Sequence, residues 1–153
     1  MAKIGKGGSN LKMDTSDVER ALKEFQEKLN KDILPVALKQ LLEEAKKELV
    51  ELAKQGKKFD GSSQKRNAPA TSAKKGGKPP LVDTGVLTDE SGYNVQVINN
   101  IGTIQTTGRN LNIIQFLEEK GYIYFRLPTH IKGITLDKRL EQILEELTRN
   151  IIL

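Results

Sequence analysis

One stretch limits the folds open to this chain more than any other. Residues 56–80, GKKFDGSSQKRNAPATSAKKGGKPP, contain a single bulky apolar residue, Phe59. Such a segment buries too little surface to offset the entropy of ordering it. The core must therefore come from residues before Gly56 and after Pro80, and these two parts read differently. The first has a helical period; the second is strand-rich and closed by a helix. A length of 153 residues points to one domain, large enough to remove roughly two-thirds of the unfolded surface from water. That domain is expected over residues 14–153, with 57–80 as an extended, flexible basic loop inside it and residues 1–13 as a flexible arm. GKGG in that arm lacks the remaining spacing of a phosphate loop.

Upstream, Thr15, Ser16 and Asp17 are N-cap types, and Ser16 with Glu19 forms a capping box. Val18, Leu22, Phe25, Leu29 and Ile33 then share one helical face. Pro35 removes a donor and crowds the preceding turn, so a kink or restart is expected there. Leu38, Leu41, Leu42, Ala45, Leu49 and Leu52 continue the period to Gly56, a C-terminal stop. Lys54, Lys57 and Lys58 suit the negative end of the helix dipole.

Downstream, Leu81-Val82 lead into a turn at Asp83-Thr84-Gly85. Tyr93, Val95 and Val97 alternate with Asn94, Gln96 and Ile98. Asn99-Asn100-Ile101-Gly102 supply residues that tolerate positive φ, and Thr103–Thr107 follow, which predicts a β-hairpin. Leu111, Ile114 and Leu117 predict a short helix ended by Gly121. Tyr122–Arg126 read as a strand ended by Pro128. Tyr122 and Tyr124 are expected in core or subunit packing, with base stacking as the alternative. Thr135 caps a last helix whose face is Leu136, Leu140, Ile143, Leu144, Leu147 and Ile151. The fold class expected is α+β: a long N-terminal helix and a C-terminal helix packed on a small antiparallel sheet.

The net charge of +5 is uneven. Residues 1–12 carry +3 and residues 54–78 carry +7, while 13–53 carry −3 and 79–153 carry −2. A basic segment on a slightly acidic body implies a polyanion or an acidic protein surface as partner. Lys57, Lys58, Lys65, Arg66, Lys74, Lys75 and Lys78 are the candidate DNA- or partner-facing cations. The chain has no cysteine, so disulfides and thiolate chemistry are excluded. His130 is the one histidine, without a carboxylate pattern beside it. Asp89-Glu90 and Glu118-Glu119 match no metal-ligand spacing. Ser62, Ser63 and Ser72 have no base to activate them. The expectation is a non-enzyme with no cofactor and no metal. MAKIGKGGSNLK has no apolar core of a signal peptide, and no run approaches the roughly 20 residues of a membrane span. A cytoplasmic product without a membrane segment is expected.

Pro80-Leu81-Val82-Asp83-Thr84-Gly85-Val86-Leu87, with Ser91 beyond it, resembles tailed-bacteriophage proteins of the virion-morphogenesis and tail-completion group. Those proteins open with a long helix and a variable loop. A Leu-x-x-Thr-Gly-x-Leu…Ser stretch follows, then a hairpin, an apolar segment ending in Gly, an Arg-x-Pro turn and a closing helix. The later pieces here read Ile114–Gly121, Arg126-Leu127-Pro128 and Gly133–Asp137. The shared order spans residues 15–151. The chain departs where the family often has a basic residue, at Val86, and a His or Tyr, near Gln115–Phe116. The family also usually has an aromatic residue in the loop that here is Lys- and Gly-rich. Tail completion, tail terminator and another neck ring all stay open.

The resemblance implies a non-catalytic structural protein at the head–tail junction of the virion, assembled in the host cytoplasm. It further implies a homo-oligomeric ring, commonly hexameric, that meets neighbouring neck, connector and tail proteins. Leu81, Thr84, Gly85, Leu87, Ser91, Arg126 and Pro128 would form the assembly interface. If the basic loop faced the lumen, its cations would meet packaged DNA in a salt-sensitive, sequence-independent way. The alternative class is a small, non-specific nucleic-acid-binding protein using the same loop.

Overall fold

The computed structural model describes residues 3–4, 13–14, 16–65, 87, 89–106 and 108–152. Two short strands, β1 (Lys3–Ile4) and β2 (Met13–Asp14), pair antiparallel, so part of the expected arm carries a two-residue ladder. A helical rod follows from α1 (Ser16–Lys28) through a π-helical segment, Leu29–Ile33, into α2 (Leu34–Lys54). At 1.5 Å per residue it is roughly 58 Å long. The π segment is how the chain meets Pro35. The Leu34 N–H reaches back to the Leu29 carbonyl, an i→i+5 bond. Pro35 then falls in the first turn of α2, where a missing donor costs least. The helix neither ends nor restarts; it takes one wider turn.

Only the second half of the rod is packed. None of α1 is buried, whereas α2 buries Ala37, Leu41, Leu42, Ala45, Leu49, Val50 and Ala53. Three fully buried alanines, each eight residues apart, let neighbouring backbones approach closely. α2 ends at Gly56 (φ 69) in a Schellman arrangement: Lys57 N–H bonds the Leu52 carbonyl and Gly56 N–H that of Ala53.

The hairpin joins β3 (Tyr93–Ile98) to β4 (Ile101–Thr106) through Asn99 and Asn100, at φ 51° and 60°. Two left-handed residues make the type I′ turn that matches strand twist. Tyr93 faces Thr106, Val95 faces Ile104 and Val97 faces Gly102 on the side turned toward α2. Glycine fits there, because a Cβ would fall well inside contact distance of Leu42 Cδ1 and that side chain would have to shift. Next comes α3 (Gly108–Glu119), which ends at Gly121 (φ 94) in the same motif as α2. Tyr122 N–H bonds the Leu117 carbonyl and Gly121 N–H that of Glu118.

A second small hairpin pairs β5 (His130–Ile131) with β6 (Ile134–Thr135). The last helix, α4 (Leu136–Ile152), starts with its Lys138 N–H on Thr135 Oγ1 at 3.4 Å. The core has two halves along α2. One gathers Leu49, Val50, Ala53, Leu87, Tyr93, Ile114 and Tyr124; the other gathers Ala37, Leu41, Ala45, Ile131 and Ile143. Ile104 packs against both. The fold is α+β, with the long N-terminal helix and the C-terminal helix expected from the periodicity.

Candidate assembly surface

Three oxygen atoms organise the region that the Thr-Gly stretch leads into. The Leu87 carbonyl accepts from Tyr93 Oη and from Tyr124 Oη, each at 2.8 Å. The two hydroxyls also lie in direct contact with each other. Two protons cannot fill three edges, so one edge of this triangle is always unprotonated. Burial raises both phenol pKa values, so neither tyrosine ionises at any ordinary pH. Phe125 stacks on Tyr93 at a ring separation of 6.1 Å. Leu87 itself is 4% exposed. Its side chain and carbonyl are both spent inside the subunit.

Beside this knot, residues 57–65 fold onto the 122–129 segment. Lys57 and Ser63 pair, Lys58 N–H bonds the Ser62 carbonyl at 2.7 Å, and Gln64 N–H bonds the Gly56 carbonyl at 2.8 Å. The Asp60 carboxylate accepts from the Ser62 N–H and hydroxyl, which holds its pKa below the usual value. Gln64 is buried and turns its amide on the Ile123 backbone. Its Oε1 accepts from the Ile123 N–H at 3.0 Å and its Nε2 donates to the Ile123 carbonyl. Thr129 N–H adds a bond to the Phe59 carbonyl. Residues 122–126 were expected as a strand, and they form none. The Ile123 N–H and carbonyl bond a side-chain amide instead of a neighbouring strand. The disorder expected over 57–80 does not hold for 57–65, because polar bonding orders it where apolar burial could not. The rest of that expectation lies outside the described residues.

The Arg-x-Pro turn comes next. Pro128 is fully buried and anchors it. Arg126 stands in solvent, donating to Glu118 Oε1 at 2.7 Å and to the Phe125 carbonyl at 2.9 Å. Leu127 projects between them, 51% exposed. It overhangs an apolar groove of about 260 Å³ lined by Leu49, Gly102, Thr103, Ile104, Phe125 and Arg126.

The expected interface is thus divided. Leu81, Thr84 and Gly85 lie outside the described residues. Leu87 and Pro128 are interior residues, held by the tyrosine knot and the turn, and offer no side chain to a neighbour. Ser91 is exposed in a short turn capped by Asp89: its hydroxyl and N–H both donate to Asp89 Oδ1, at 2.7 and 3.0 Å. Those bonds hold the Asp89 carboxyl below its usual pKa. Arg126 is exposed at the groove rim.

Among the basic residues, Arg66, Lys74, Lys75 and Lys78 lie outside the described residues. Lys57 is exposed and Lys58 half-buried. Lys65 is engaged locally: Nζ donates to the Lys120 carbonyl at 2.7 Å and sits 5.4 Å from the Tyr122 ring centroid. A cation there suits the negative end of α3. Tyr124 is buried, so it offers no ring face for stacking. Sequence reasoning missed Gln64, since one amide in a polar run carries no period. It also missed Leu127, which was only the spacer of its motif.

Chemically, the described residues hold no group of three or more His, Cys, Asp or Glu placed to bind a metal. His130 Nδ1 lies 2.9 Å from Thr129 Oγ1 on an exposed edge, and no described carboxylate bonds to the imidazole. No described helix is long and apolar enough to cross a membrane. No family model, curated protein or solved structure matches the chain.

Proposed function

We infer that this chain is a structural subunit of a tailed-phage neck, a ring protein that joins the head connector to the tail. The observation that carries this reading is the Arg126-Leu127-Pro128 turn. A buried proline fixes it, an ion pair orients its arginine, and an exposed leucine overhangs an open apolar groove. This is how a docking edge is built: rigid support beneath, an apolar anchor at the centre, a charge at the rim. The order of sequence motifs supplies the virion context. A closed ring needs heterologous contacts, one patch of a subunit accepting a different patch of the next. Leu127 with the groove would be one of these patches. The engagement of Lys65 takes one cation away from the nucleic-acid alternative.

Leu127→Asp tests the reading in virion assembly, because it changes an exposed side chain and leaves Pro128 in place. Heads without tails, beside loose tails and a variant that unfolds at the wild-type temperature, are expected. Normal tailed particles from this variant would remove the turn from assembly.

A further inference from the structure

We propose that α1, with Leu29 at the start of the π segment, pairs with the same stretch of a second copy of this chain, antiparallel, along the seam Val18, Leu22, Phe25 and Leu29. This interface is separate from the groove and does not depend on the neck reading. An isologous contact has two-fold symmetry and cannot by itself close a ring.

The need for a cover comes first. α1 extends the packed helix α2 outward through the π turn, and in proteins a helix gains most of its stability by packing an apolar face. α1 has such a face and buries none of it fully. Val18, Leu22 and Phe25 are 36%, 61% and 37% exposed, and no residue of the helix is buried. The four seam residues are spaced by four, three and four, the spacing of a two-helix seam. The same face runs on into Ile33, which is buried in the body. A partner helix would extend the subunit's own packing outward.

Charge then selects the occupant. The first turn of α1 carries Asp17 and Glu19; the last turn carries Lys28 on the flank of the seam, with Glu27 on the face of the helix turned away from it. Parallel pairing would set like ends together. Antiparallel pairing, with Val18 over Leu29 and Leu22 over Phe25, sets each acidic end on the other's basic end. On one flank it brings Lys28 to within about 3 Å, along the axis, of Asp17 in the second copy. Asp17 already bonds Arg20 at 3.2 Å on the solvent side, a weak exposed pair that leaves its second oxygen available. The two helix dipoles also oppose each other favourably. Near the two-fold axis, Glu24 and Lys23 each meet their own copy, but at the outer edges of the contact.

The area sets the strength. The exposed parts of four seam side chains, with Val18 and Phe25 already about two-thirds covered and Leu29 half-buried, bury well under half of the roughly 800 Å² per partner of a standard interface. The pair is therefore weak and concentration-dependent. It becomes effective where other contacts hold subunits together.

Sedimentation equilibrium of the full chain reads this directly. The weight-average mass is expected to rise toward twice the monomer value by about 1 mM. Leu22→Glu should stay monomeric throughout while unfolding at the wild-type temperature, since Leu22 touches no buried core. Orientation is read by single cysteines in a chain that has none of its own. Leu22→Cys lies about 4.5 Å along the axis from its copy in the antiparallel pair, and Val18→Cys about 16 Å. Leu22→Cys should form disulfide dimers at least tenfold faster than Val18→Cys. A wild-type chain that remains monomeric at 1 mM, an unchanged mass curve for Leu22→Glu, or equal crosslinking at both positions would each overturn the pairing.

Discussion

At Gly102 a single hydrogen in place of a methyl group sets the distance between the hairpin and α2. Glycine usually weakens a strand; here the Leu42 side chain occupies the space a Cβ would need. Gly102→Ala should destabilise the fold by about 1–3 kcal/mol, the range for overpacking a filled site. Urea unfolding measures it, and a neutral result would mean that Leu42 has room to turn aside. The tyrosine triangle gives a second residue-scale expectation. Tyr124→Phe leaves the Leu87 carbonyl still bonded by Tyr93, so its loss should be about 1 kcal/mol. Tyr93→Phe leaves the converse arrangement. The double variant strands a buried carbonyl, so its effect should exceed the sum of the two singles by about 1 kcal/mol or more. Strict additivity in the double-mutant cycle would mean that a water or a backbone shift satisfies that carbonyl.

Elements differ in how plainly the sequence announced them. The two faces of α2 and α4, the Asn99-Asn100 turn and the glycine stops at Gly56 and Gly121 were all legible, because period and positive φ are written in residue type. The π segment was not. Pro35 announces a break in the bonding pattern, but not that one wider turn will absorb it. The ordering of 57–65 was hidden for a different reason. It depends on Gln64 standing in for a strand beside Ile123, a long-range pairing with no local signature. The same cause misplaced part of the candidate site: a motif does not say which of its residues face inward, and Leu87 and Pro128 do. Gln64→Met tests the element directly. It keeps the volume and leaves the Ile123 N–H and C=O without partners, so it should lose about 1–3 kcal/mol. Amide exchange at Ile123 should accelerate with it. Unchanged protection there would show that the amide is not what holds the segment.

For the molecule as a whole, α2 is the spine, and one half-exposed ion pair fastens the closing helix to it. Arg139 Nε donates to Glu44 Oε1 at 2.7 Å and Nη2 to Oε2 at 3.0 Å, a two-point fork between α4 and α2. That bonding is the main reason the Glu44 carboxyl is held below its ordinary value of 4.5, with Gln40 and Lys132 assisting and partial burial opposing. A lowered folded-state pKa gives stability that is fully present above about pH 4.5 and is lost as pH falls through the folded value. Solvent at the pair limits this contribution to about 1 kcal/mol. Glu44→Gln should therefore be less stable by about that amount at pH 7. It should differ little from wild type near pH 3, so the two curves converge on the acid side. Parallel curves from pH 3 to pH 7 would mean that the fork holds α4 by geometry, with no net contribution from its charge.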